Sequence, residues 1–298
     1  MALPLPRQLL ALALLLLAAA PARAQDLMHQ LSALTADSLR RDYVVATFKG
    51  TRVINGHSVE TPGHGSLLFL ISHRFSRLNS GSYEFFGLDQ ATIRLGLEYG
   101  LTDRLAAGVG RSSLEKTVDG FVKYKLLRQS IGAGALPVSV TLLATAALTT
   151  LNFGPQPERS TASRVTYTFQ ALLARKFSPV LSVQLMPTLL HRNYVDLRRD
   201  QNNVLALGVA ACQKLTKRFA LTGEYYYLLP GATAGDYRNA LAIGFDIETG
   251  GHVFQLYFTN SQGMIEKFFI PQTQGNFFKG DIFFGFNIFR SFQLHTVR

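Results

Sequence analysis

Seven basic residues, Arg74, Arg94, Arg104, Lys123, Lys125, Arg164 and Arg238, and three acidic ones, Glu98, Glu224 and Asp246, fall on the polar phase of segments whose alternate positions are apolar. If those segments enclose a space, all ten side chains line it. The excess of positive charge then favours anions, because a basic lining between low-dielectric walls concentrates them. The competing reading is a filling of salt bridges and hydrogen bonds that closes a narrow interior. Other constellations are weaker. His57, Glu60 and His64 form H-x-x-E-x-x-x-H, but Asn55-Gly56 and Pro62-Gly63 make that stretch a loop, not the helix that a zinc site of this kind requires, and no metal is expected. Ser72 and His73 would point to opposite faces of a strand and cannot pair as nucleophile and base. A membrane-embedded lipid hydrolase would need partners from other strands, such as Asn260 or Ser261. Gly108-x-Gly110 lacks the Gly-Lys-Ser/Thr of a phosphate loop, and the single Cys212 permits no internal disulfide. No cofactor and no catalytic residue are expected.

The segments that must position these residues are read from periodicity. From Ala91 to Tyr99 the odd positions are Ala, Ile, Leu, Leu and Tyr and the even ones Thr, Arg, Gly and Glu; Thr102-Asp103 turns the chain, and Leu105, Ala107 and Val109 alternate on the way back. Twelve such strands are expected, near 66–77, 90–101, 104–112, 118–128, 137–150, 164–177, 180–193, 202–216, 218–229, 237–248, 252–260 and 281–293. Most have the roughly 9 to 11 residues that cross a bilayer at a tilt. Their connections alternate between very short (102–103, 178–179, 217, 249–251, with 129–136 somewhat longer) and long (78–89, 151–163, 194–201, 230–236, 261–280, with 113–117 the shortest). Bacterial barrels sort their loops this way, with short periplasmic turns and long external loops, whereas a soluble sandwich has no reason to. Tyr99, Tyr124, Tyr225 and Tyr227 fall on outward phases near strand ends, where interfacial girdles sit.

Composition agrees. Charged residues make up 16% of the 298, against about 25% in soluble domains. Met1–Ala24 has Arg7, an apolar run from Leu9 to Ala20 and an Ala22-Arg23-Ala24 cleavage site, the pattern of a secretory signal. Removing it takes two arginines and lowers the formal charge from +11 to +9. The charges are dispersed and form no phosphate-tracking stripe, so nucleic acid is not an expected partner. The expected division is a signal peptide at 1–24, a periplasmic N-terminal segment at 25–65 and the barrel at 66–298. Within the middle segment 26–42 reads as a short helix or lead-in, and 43–54 as a wall strand, a periplasmic clip or a partial plug. The loop 261–280, with Met264, Phe268, Phe269 and Ile270 beside Glu266 and Lys267, folds into the mouth as a constriction, forms an external contact surface for a ligand, or packs its own aromatics over the rim.

The sequence also resembles a family of bacterial outer-membrane β-barrel proteins grouped as a domain of unknown function. The resemblance rests on TFKGTRVINGHSVE at 47–60, ISHRF at 71–75, FGLDQATIRLGLEYGLTDRL at 86–105, KYKLLRQ at 123–129, TNSQGM at 259–264 and GFNIFR at 285–290. It implies a barrel in the outer membrane and carries no substrate or catalytic residue with it. The expected fold is therefore all-β, a single antiparallel up-and-down transmembrane barrel of twelve strands, with fourteen as the alternative count. The expected function is a passive, porin-like conduit for small solutes, anions among them; the alternatives are a plugged docking barrel acting through its loops and N-terminal segment, and, last, a lipid hydrolase. Outer-membrane lipid and the barrel-insertion machinery are the expected partners.

Overall fold

The computed structural model describes residues 41–152, 160–195 and 200–294. The expected signal peptide and most of the expected lead-in lie outside them. Fourteen strands follow in chain order: β1 (Arg41–Tyr43), β2 (Ser66–Arg77), β3 (Ala91–Gly100), β4 (Leu105–Ser112), β5 (Val118–Leu127), β6 (Ser130–Gly132), β7 (Ser139–Leu148), β8 (Val165–Lys176), β9 (Leu181–Arg192), β10 (Asn203–Lys214), β11 (Phe219–Leu228), β12 (Ala240–Thr249), β13 (His252–Thr259) and β14 (Phe283–Gln293). The chain divides into two units. The described residues of the smaller are 41–42 and 131–135, where β1 pairs with β6. The larger, 43–130 and 136–294, holds one closed antiparallel barrel of twelve strands in sequential order, β14 pairing back onto β2. The count is thus twelve, and closure leaves no unpaired edge.

The face assignment decides the environment. Ile93, Leu95 and Leu97 are 40%, 45% and 44% exposed, while Arg94 and Glu98 between them are each 1% exposed. Greasy side chains point out and charges point in, the inverse of a water-soluble barrel. Tyr124, Tyr225 and Tyr227 are outward and exposed, and Tyr99 is half-buried. Tyr99 and Tyr124 sit near the end with the short turns, and Tyr225 and Tyr227 near the end with the long loops, one pair at each boundary. Outward Phe75, Phe284 and Phe286 stack beside His73 across β2 and β14.

Three short turns share one device. Thr102 Oγ1 accepts from the amides of Arg104 and Leu105, Ser178 Oγ from those of Val180 and Leu181, and Thr216 Oγ1 from those of Arg218 and Phe219. A hydroxyl three residues before the first residue of the returning strand satisfies amides that the reversal leaves unpaired.

A wall of eight strands is filled by its own side chains and one of sixteen leaves a channel. Twelve enclose a space between those two limits. Two pieces of chain fill it here. Residues 46–60 enter from the short-turn end as a hairpin, with Arg52 bridging His57 and the amide of Val53 donating to the carbonyl of Gly56 (2.8 Å). From the opposite end the loop 261–280 folds into the mouth, burying Met264, Ile265, Phe268, Phe269 and Ile270 around the short helix Glu266–Phe269. The stretch placed outside the barrel as part of a 25–65 segment is therefore, from 46 to 60, its core. Of the readings left open for 43–54 and for the loop, the plug and the inward fold describe the structure.

Candidate functional site in the barrel lumen

Irregular backbone at membrane depth is tolerated only where protein or water meets its polar groups. The hairpin's are met by wall side chains. At its tip the amides of Ile54, Asn55 and Gly56 all donate to the Glu224 carboxylate, at 3.3, 2.8 and 3.1 Å. Lys123 Nζ donates to the carbonyls of Thr51, Ser58 and Glu60 (2.8, 3.2 and 3.0 Å). Gln184 is bidentate, accepting from the Val59 amide at 2.9 Å and donating to the His57 carbonyl at 2.8 Å. Gln255 and Asn287 donate to the carbonyls of Val53 (2.8 Å) and Ile54 (3.0 Å). Arg74 reaches both fillings, donating to the Asn55 side chain (2.5 Å) and to the carbonyls of Ser261 and Gly263 (2.8 and 2.5 Å). Strands β2, β5, β9, β11, β13 and β14 thus hold one hairpin.

The two fillings meet in a polar layer. Glu266 Oε1 lies 3.5 Å from an Arg52 nitrogen and 3.7 Å from His57 Nε2, all three buried. Burial, then the charges of Arg52, Lys123 and Arg94, holds the His57 imidazole well below its ordinary value, so it is neutral near pH 7. Burial raises the Glu266 carboxyl, with Arg52 opposing. Lys267 pairs with Glu115 (2.5 Å) and also bonds Thr149. A cavity of about 10 Å³ bounded by Arg52, His57, Asp119, Glu266 and Lys267 has the size of one water. Larger cavities lie at the two ends, about 410 Å³ against the hairpin's base at the short-turn end and about 300 Å³ under the long loops.

Of the ten residues expected to line the lumen, Arg74, Arg94, Glu98, Lys123, Glu224 and Asp246 are buried inside it. Lys125 is half-buried at the short-turn end, lining a cavity of about 100 Å³ with residues 44–47. Arg104, Arg164 and Arg238 depart from the expectation. Arg104 is exposed in the turn before β4, Arg164 is half-buried in a single 3₁₀ turn before β8, and Arg238 is exposed before β12. Alternation fixes the face only while the chain is pleated, and all three lie just outside a strand.

Within the lumen the charges are engaged. Arg94 lies flat along the wall and pairs bidentately with Asp119 on β5, Nε at 2.9 Å and Nη2 at 2.5 Å. It does so over Gly110, where an added Cβ would stand 2.2 Å from the guanidinium. Asp246 accepts from Gln255 at 3.0 Å. The Glu98 carboxylate has no hydrogen-bond partner and answers Lys123 and Arg94 at longer range. Sequence reasoning missed Asp119, Gln184, Gln255 and Asn287. The signal was present: Asp119 keeps the phase of Lys123, and Gln and Asn on an inward phase are hydrogen-bonding arms for buried backbone.

The other candidates are not assembled. His57 is buried in the hairpin and His64 is exposed, while Glu60 accepts from the Thr47 amide (2.8 Å). Ser72 faces the lumen and His73 the lipid side, where its ring stacks on Phe286. Cys212 is buried on the inward phase.

Residues 48–292 match the family described as a membrane-bound beta barrel domain, DUF5777. The chain belongs to this family. The family's span begins inside the hairpin, at Phe48, and takes in the hairpin tip, every wall strand and the long loop. No curated protein matches the chain. Among solved structures, the NanC porin is similar at 11% identity and a TM-score of 0.49, over 74% of this chain and 98% of its own. An outer membrane channel of Pseudomonas putida F1, COG4313, is similar at 14% identity and 0.47, over 78% and 97%. The KdgM porin is similar at 10% identity and 0.45, over 76% and 99%.

Proposed function

We propose that the protein is a bacterial outer-membrane barrel, with short turns in the periplasm, that is closed at rest by its own hairpin and long loop. It acts through its two ends, and conducts only when the hairpin is withdrawn. One observation carries this: the basic residues that would attract an anion are already paired, Lys123 with three hairpin carbonyls, Arg74 with hairpin and loop, and Arg94 with Asp119 of the wall. Wall side chains meet the hairpin's backbone by hydrogen bonds, while Phe48, Val53, Ile54 and Val59 pack into the barrel's apolar cluster. Water can replace each such bond at a net cost of about 0.5–1.5 kcal/mol, so the polar share of the hold is the part that a wetted lumen releases.

The second reading, a standing conduit for small anions, draws on the same inward cations. Planar-bilayer recording separates the two. Closed at rest, the wild-type protein is silent or opens rarely, and Glu224→Ala, which frees the hairpin tip, raises the open fraction at least tenfold. Steady wild-type conductance whose anion preference disappears on reversing Arg94 and Lys123 would establish the conduit instead.

A further inference from the structure

The cavity of about 300 Å³ at the long-loop end has a distinct chemistry. Three glutamine side chains, Gln262, Gln272 and Gln274, line it, and none of their amides has a protein partner among the described residues. The surrounding frame is fixed. Asn260 donates to the carbonyls of Asn239 and Gly275 and accepts from the Leu241 amide, while Arg74 clamps the carbonyls of Ser261 and Gly263. The loop packs so closely here that a Cβ on Gly263 would stand 2.0 Å from that of Phe268. Free amides are therefore carried on a preformed wall. Phe268 and Phe283 border the cavity but are buried, with Lys267 and Arg77 over their rings, so its accessible lining is mainly polar.

The charges that reach the cavity are already matched. Arg77 faces Asp281 at 3.8 Å, and Glu115 holds Lys267. An ionic ligand has no uncompensated partner, whereas each amide offers coplanar donors and an acceptor, the pairing that adjacent hydroxyls need. A neutral ring carrying adjacent hydroxyls meets these amides in pairs. The volume is at the lower limit of small-molecule sites, enough for one or two rings.

We propose that this cavity binds an uncharged saccharide of one or two units. The proposal rests on the barrel and its loop and is independent of whether the lumen conducts. The test uses the full-length protein in a sugar-free zwitterionic detergent, with glucose, galactose, maltose and lactose as probes and galacturonate as the charged control. Binding is read by saturation-transfer NMR and titration calorimetry. At least one neutral sugar binds with a Kd in the millimolar range or tighter, and Gln272→Ala/Gln274→Ala weakens it at least tenfold while the barrel keeps its heat-modifiable migration on gels. Half-buried and exposed glutamines of this kind leave folding near wild type. A maltoside detergent that competes where free maltose does not would identify a lipid-linked sugar as the source and still support the chemistry. No binding by any neutral sugar, equal binding by the double variant, or preference for galacturonate would overturn the assignment. Conduction that responds to Glu224→Ala would stand regardless.

Discussion

Gly56 shows how tightly the filling is fitted. A Cβ there would stand 2.1 Å from the Tyr226 hydroxyl, and the wall offers no give, since Tyr226 is buried against Met186 and Phe269. Gly56→Val therefore displaces the hairpin tip and strands Glu224 without its three amide donors. The expected result is a barrel that still folds but gives protease access to residues 46–60, read by limited digestion from the short-turn side. Digestion indistinguishable from wild type would count against the tip's placement. The Arg94–Asp119 pair is a second residue-scale case. Removing one partner leaves the other charge buried, at a cost of about 3–5 kcal/mol. Arg94→Ala should thus lower the urea midpoint for unfolding from lipid vesicles far more than the double change Arg94→Leu/Asp119→Leu, which removes both charges.

The hairpin and loop respond to acid as elements. His57 is neutral where Arg52, Lys123 and Arg94 surround it, and Glu266 of the loop faces it. A histidine whose folded pKa is depressed contributes its full packing stability above the unfolded value, about 6.5, and that stability is lost as pH falls below it. The raised Glu266 works in the opposite sense, favouring the packed layer as it takes up its proton. The net acid response is assigned to His57 by a control: bilayer openings become more frequent from pH 7 to 5.5 in the wild type, and His57→Gln flattens the profile. A profile unchanged by that substitution would remove His57 from the gate.

For the whole molecule, the lipid face is the decisive surface. Leu95 is outward on β3, and Leu95→Arg sets a charge against hydrocarbon, which costs about 2–4 kcal/mol near the midplane and little at the rims. Folding yield into vesicles should fall accordingly, while Asp103→Arg, exposed in a short turn, should leave it nearly unchanged. Equal effects would mean that the outer face does not meet lipid.

The sequence by itself determined the wall. Each of the twelve strands lies within a few residues of its expected span, because a pleated strand shows one face to lipid and the other to the lumen, and that constraint is written locally with a period of two. It also put Arg74, Arg94, Glu98, Lys123, Glu224 and Asp246 on the inner face. Only the tertiary structure decided what they do there. Residues 46–60 carry no period, since their backbone is met by wall side chains 63 to 233 positions away, from Lys123 to Asn287. Contacts between such distant parts of the chain leave no local mark. Whether an inward lysine meets water or a carbonyl therefore depends on which segment enters the barrel, and that is settled by closure and fit of the whole wall.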